Sequence, residues 1–190
     1  MLSQDEARLP MVPTLQATLG VKGHRPLVGT WDCKDVLYVF AVINLISGLL
    51  HSNTLESLQS ANRKSGESKT RRMQRAFADH LRHVGRLYPR EQFSRVVLLI
   101  DNAPWHRGQA INKALAENPH LEFKRLPSYS PQLNPIERFW KVLRRRATHN
   151  RLFDTIADLK KSVRASLSYF QTVRQRMLTL INGRRKKSVK

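Results

Sequence analysis

The stretch Val96–Gln109, "VVLLIDNAPWHRGQ", frames the reading of the rest of the chain. Its apolar run has no polar break, as in a strand covered on both faces, and predicts a strand over Arg95–Ile100. The run stops at Asp101, and Asn102, Pro104 and His106 follow. A carboxylate at the carboxyl end of a buried strand sits where open α/β sheets bind ligands. A plainer reading stands beside it: Asp101 or Asn102 caps the next helix, with Pro104 near its first turn.

Upstream, "VLYVFAVINLISGLL" (Val36–Leu50) is rich in β-branched and aromatic residues. It is too short for a membrane span and is interrupted by Asn44, Ser47 and Gly48, so it reads as strands over Val36–Ile43 and Leu45–Asn53. Pro26–Trp31 predicts another short strand after a loop-rich stretch. Met73, Phe77, Leu81 and Val84 recur at helical spacing, so Leu55–Leu87 reads as a basic helical region. Downstream come a helix over Trp105–Asn118, a strand over Leu121–Leu126 and a proline-punctuated loop over Pro127–Pro135. Helices over Ile136–His149, Asp154–Leu167 and Tyr169–Ile181 follow, and then a basic tail, "NGRRKKSVK". Strands clustered early and alternating with helices later predict an α/β fold, a mixed sheet with helices on its faces.

The charge narrows the function. Of 190 residues, 34 are Lys or Arg and 14 are Asp or Glu, a formal net charge of +20. Such an excess points to a polyanion, with nucleic acid ahead of an acidic membrane surface or a ribosome-like assembly. The single cysteine, Cys33, allows neither an intrachain disulfide nor a cysteine zinc cluster. The opening "MLSQDEARLP" has no signal-peptide pattern, and the chain reads as intracellular.

Acidic residues are scarce, so their positions carry information. In "NPIERFWKVL", Asn134, Pro135 and Glu137 match a helix N-cap, first position and capping-box acid. An acid in a first helical turn also reaches a neighbouring sheet edge, so both readings of Glu137 stand. Asp5 follows a possible strand end at Met1–Gln4. Asp32 and Asp35, flanking Cys33, read as hairpin-turn residues and rank below it. Carboxylates brought together repel, and their pKa values rise. A hard divalent cation removes that repulsion, and a pair of them supports in-line phosphoryl displacement.

"LLIDNAPWH", with Glu137 following 36 positions after Asp101 in "SYSPQLNPIERFWKVLRRR", resembles the DDE transposases of the mariner-like superfamily, especially their bacterial insertion-sequence branch. "QDEA" (Gln4–Ala7) is similar to the stretch carrying that family's first catalytic aspartate, and "KGHRPLV" (Lys22–Val28) to the segment leading into its second strand. The resemblance covers Gln4 to Arg151. It implies a ribonuclease-H-like fold: a five-stranded mixed sheet flanked by helices, with Asp5 on the first strand, Asp101 after the fourth and Glu137 on the helix after the fifth. Residues 1–152 would form this domain, 153–182 a C-terminal helical extension and 183–190 a basic tail. The three acids would hold two Mg²⁺ or Mn²⁺ ions. Water would cut a phosphodiester at a transposon end, and the freed 3′-OH would attack target DNA. Asn102, Pro104, Asn134 and Pro135 would be scaffold. By resemblance the partners are DNA and a second copy of the chain, with no membrane, in the bacterial cytoplasm at the nucleoid. The family's N-terminal helix-turn-helix region has no counterpart in this sequence. A fragment, a split reading frame or a decayed copy is therefore the expectation.

Arg71, Arg72 and Arg75, with Lys141, Arg144 and Arg145 beyond Glu137, are expected to carry DNA phosphates; His106 is either a phosphate contact or a helix-start histidine. Trp105 and Trp140 read as core aromatics. Two other functions remain open from the sequence: a DNA-binding remnant without activity, and a ribonuclease-H-like nuclease that cuts without strand transfer.

Overall fold

The computed structural model describes residues 1–183 except Arg25 and Trp31, and not the side chain of Arg63. The basic tail Arg184–Lys190 lies outside the described residues. Five strands form one sheet in the order β3-β2-β1-β4-β5. They are β1 (Leu2–Pro10), β2 (Val36–Asn44), β3 (Leu50–Ser57), β4 (Val96–Ile100) and β5 (Leu121–Arg125). β1, β2 and β3 pair antiparallel, and β4 runs parallel to β1 and β5. The expected mixed sheet is present, and β1 is its centre.

The period of two in β1 sorts its side chains between two cores. Leu2 faces a cluster built with α2 (Lys69–Leu87), where Met73, Phe77, Leu81 and Val84 are buried as their spacing predicts. Ala7 and Leu9 face the other cluster, filled by α4 (Ile136–Ala147), α5 (Ile156–Thr172) and α6 (Arg174–Asn182). β2 serves both clusters: Leu37, Val39, Ala41 and Ile43 on one face, and Val36, Tyr38, Phe40 and Val42 on the other. That explains its unbroken apolar sequence.

Several boundaries differ from the sequence reading. β1 does not end at Asp5 but runs to Pro10, because pairing with β2 from Leu2↔Asn44 to Pro10↔Val36 holds it through the acidic pair. Pro26–Thr30 is not a strand; with no ladder partner a β-like pattern stays loop. Residues 45–48 are the β2–β3 turn, where Asn44 Oδ1 accepts from the Ile46 and Ser47 N–H groups. β3 therefore extends to Ser57, and the helical region splits into α1 (Gln59–Ser65) and α2 after a left-handed Gly66. The helix expected over Trp105–Asn118 is a 3-10 turn at Pro104–His106 followed by α3 (Gln109–Glu117). The break falls at Gly108, where φ is 113°.

Candidate active site

Asp5 lies in mid-strand on β1. The offset that pairs Leu2 with Leu98 and Ser3 with Leu99 carries Asp5 to the level of Asp101, just past the end of β4. Glu137 is in the first turn of α4. All three line one cavity of about 450 Å³, with Asn102, Arg107, Tyr129 and Asn134 also in its wall. Asp32 and Asp35 do not line it; Asp35 Oδ1 instead accepts from the Gln59 N–H at 2.7 Å.

Local structure aims each acid. The side chain of Asp5 is buried, and its Oδ2 accepts from the Trp140 indole N–H at 2.9 Å. Burial, then the charges of Glu6, Glu137 and Asp101, push its carboxyl up to about 8. Glu6, one residue on, faces the opposite side of the sheet. It accepts from the Trp105 indole N–H at 2.9 Å and from His106 Nε2 at 3.1 Å. His106 Nδ1 lies 3.0 Å from Asp101 Oδ1. Burial alone would lower the imidazole pKa, but the Asp101 and Glu6 carboxylates outweigh it and raise His106 to about 10. Burial would raise Asp101, yet the hydrogen bonds from His106 and the Ala103 N–H hold its carboxyl below the usual range.

Asn134 departs from its expected role as helix cap. Its amide nitrogen donates to the Gln4 carbonyl at 3.0 Å, and its oxygen accepts from the Ser3 hydroxyl. Ser3 Oγ in turn accepts from the Ile136 N–H at 3.1 Å. The cap of α4 thus comes from β1, and there is no capping box at Glu137. The tie fixes the start of α4 against the strand bearing Asp5. Asn102 donates to the Leu126 carbonyl at 2.8 Å, and Pro104 opens the 3-10 turn.

The basic candidates divide. Lys141, Arg144 and Arg145 line a separate groove of about 1130 Å³ with Thr14, Gln16 and His149. Arg71, Arg72 and Arg75 lie on α2, where Arg75 pairs with Glu67 at 2.7 Å. His106 is 1 % exposed, so its ring has no face for a phosphate. Trp140 is fully buried, as expected for a core aromatic, and Trp105 partly so. Sequence reasoning missed the Glu6–His106 link, the grip of Trp140 on Asp5, and the places of Arg107 and Tyr129 at the cavity. Only the adjacency of Glu6 to Asp5 hinted at the first.

The carboxylates suit a hard divalent cation. They are oxygen donors, the Asp5 carboxyl is raised first by burial and then by neighbouring acids whose repulsion a cation would relieve, and Trp140 and His106 each engage only one oxygen of Asp5 and of Asp101. Among the described residues, no three acid, histidine or cysteine side chains are drawn tightly enough to hold an ion by themselves. Oxygens from a substrate would complete the shell.

Acids from the central strand, from the end of its parallel neighbour and from the first turn of α4 now stand in one cavity. The family model for DDE superfamily endonucleases matches residues 1–160. This chain belongs to that family. Among curated proteins, it is 27% identical over 161 residues to the insertion element IS630 uncharacterized 39 kDa protein of Shigella sonnei, covering 85% of this chain and 42% of that one. The chain spans about half the length of the curated relatives it matches. The catalytic domain of Mos1 mariner transposase superposes with a TM-score of 0.59 at 20% identity, over 95% of this chain and 76% of that one. The Mos1 paired end complex with Mn gives 0.61 at 17% identity, over 95% and 53%. At these identities the likeness is one of fold: this DDE superfamily member has the ribonuclease-H-like sheet of that domain. Among the described residues, no helix is long and apolar enough to cross a membrane.

Proposed function

We propose that the chain is a transposase catalytic domain that cuts DNA at the end of a mobile element and joins the freed 3′-OH to target DNA. The observation that carries this reading is the meeting of Asp5, Asp101 and Glu137 in one cavity of a protein with a net charge of +20. Two Mg²⁺ or Mn²⁺ ions held by these acids and by substrate phosphates would supply an activated water and stabilise the leaving oxygen. The chain's own residues prepare for that. Trp140 orients Asp5, His106 keeps Asp101 ionised, and the Ser3–Asn134 tie holds Glu137 in place. Arg107, in the cavity wall, meets the phosphate. The groove bearing Lys141, Arg144 and Arg145 carries the backbone onward, with contacts that are independent of sequence and sensitive to salt.

We read residues 1–152 as the catalytic domain, 153–182 as a helical extension and 183–190 as a basic tail. The partners are DNA and a second copy of the chain, and the working location is the bacterial nucleoid. Leu15, Leu19, Val21 and Leu27, all exposed in the connection between β1 and β2, support self-association.

Incubation with supercoiled plasmid and Mg²⁺ or Mn²⁺ tests cleavage, and a labelled DNA end offered with target DNA tests joining. Joined product supports the full reading. Cutting without joining would leave a nuclease, and binding without cutting a DNA-binding remnant.

A further inference from the structure

Tyr129, in the cavity wall, is the most exposed large hydrophobic side chain among the described residues. Its relative exposure is 101%, and among the described residues neither its ring nor its hydroxyl has a partner. Its backbone is left-handed, with φ 57°, which is rare for a bulky residue. Two unfavourable features therefore meet in one residue: a bare aromatic ring and a strained backbone. Strain of this kind persists where the surroundings impose it, and it concentrates at ligand clamps. Here it turns the ring outward at the cavity that holds Asp5, Asp101, Glu137 and Arg107.

We infer that Tyr129 is a stacking platform for one unpaired nucleobase beside the phosphate that is cut, so that the site takes an opened DNA end in preference to intact duplex. This rests on the function proposed above. The cavity, about 450 Å³, is the size of a small-molecule site and not of a duplex groove. A strand lifted from its partner brings its phosphate more deeply among the acids of so small a cavity. The base it exposes loses its stacking neighbours, and opening is least costly where the DNA is already single-stranded. A protruding ring offers that base a π-face whatever its identity, which suits an enzyme gripping DNA beside the cut. Arg107, in the same wall, neutralises the phosphate attached to it. Ser128, Ser130 and Pro131 around the tyrosine offer no other aromatic surface.

The test uses the whole chain and DNA duplexes of one sequence, blunt or with a short unpaired overhang, without divalent metal so that no cleavage intervenes. The wild-type chain is expected to bind the overhang more tightly. Tyr129→Phe should keep that preference. Tyr129→Ala should bind the overhang about 5- to 150-fold more weakly, the loss of one base stack, with little change on blunt DNA. Tyr129→Asn should behave like Tyr129→Ala; asparagine tolerates left-handed backbone, so its loss cannot be ascribed to strain. An iodouracil in the overhang should photocrosslink to Tyr129. Equal binding of both duplexes by the wild-type chain, an unchanged preference in Tyr129→Ala and Tyr129→Asn, or a crosslink to another residue would overturn the inference. Failure of metal-dependent plasmid cleavage by the wild-type chain would instead overturn the function on which it rests.

Discussion

Trp140 and Asp5 lie 135 positions apart in the chain, and the indole N–H of one donates to the carboxylate of the other at 2.9 Å in a buried contact. Trp140 is one turn beyond Glu137 on α4. The bond therefore fixes the rotation of α4 against β1, and with it the direction of Glu137. Trp140→Phe keeps an aromatic ring, though a smaller one, and removes the donor. The expected result is a fall of about 10- to 100-fold in Mn²⁺ affinity and cleavage, the usual effect of losing a group that orients a metal ligand. Calorimetric Mn²⁺ titration checks it; an unchanged affinity would mean that the indole only fills space.

Asp101→Asn and Glu137→Gln are each expected to abolish cleavage. DNA affinity, and its steep fall with salt, should stay close to wild type, because the basic groove lies apart from the acidic cavity. Gel-shift titration at two salt concentrations, beside a plasmid-cleavage assay, separates the effects. Full cleavage by Asp101→Asn would remove that residue from the proposed metal site.

His106 sits between Glu6 and Asp101, and both carboxylates hold it protonated. His106→Phe matches its bulk and removes both donors, so Asp101 loses its orientation. A roughly 10- to 100-fold weaker Mn²⁺ affinity is expected, with His106→Gln, which keeps one donor group, less affected. Were both variants to bind Mn²⁺ as the wild type does, the Glu6–His106 link would be structural only.

Asn134→Ala leaves the buried Ser3 hydroxyl and the Gln4 carbonyl short of a partner. A loss of about 1–3 kcal/mol in stability is expected, because a buried polar group stripped of its hydrogen bond bears its full desolvation cost. Urea unfolding measures it, and a difference below a few tenths of a kcal/mol would show that the tie contributes nothing.

His80 is buried against Phe40, and its Nδ1 lies 2.7 Å from the Asn53 side-chain oxygen. Burial, with the nearby charges of His83 and His51, lowers its pKa from 6.5 to about 3. The folded protein keeps this ring neutral, while the unfolded chain takes up a proton below pH 6.5. Stability from this source is therefore complete above pH 6.5 and declines as pH falls toward 3. His80→Phe should melt less steeply with acid over that window, by scanning calorimetry at pH 7 and pH 5. Parallel curves for the two proteins would contradict the assignment.

The order of elements was legible because hydrophobic runs are local. Val96–Ile100 and the α2 stripe from Met73 to Val84 read correctly from spacing alone. Pro26–Trp31 reads as a strand in the sequence, yet Pro26–Thr30 is loop, because a β-like pattern becomes a strand only with a ladder partner. The start of α4 looks like a capping box because Asn134 and Glu137 have the right spacing; Ser3 takes the capping role from 133 positions away, accepting from the Ile136 N–H. No local pattern could show that.

The sequence by itself determined the charge, the two-faced central sheet and the family motifs around Asp101 and Glu137, since each depends on residue type and near-neighbour spacing. Tertiary structure decided the rest. It set Asp5 in mid-strand, turned Glu6 to the opposite face, buried His106 between two carboxylates and left Tyr129 bare at the cavity. Those outcomes depend on which side chains meet across the sheet, and that is fixed by strand register and helix docking, not by any single stretch of chain.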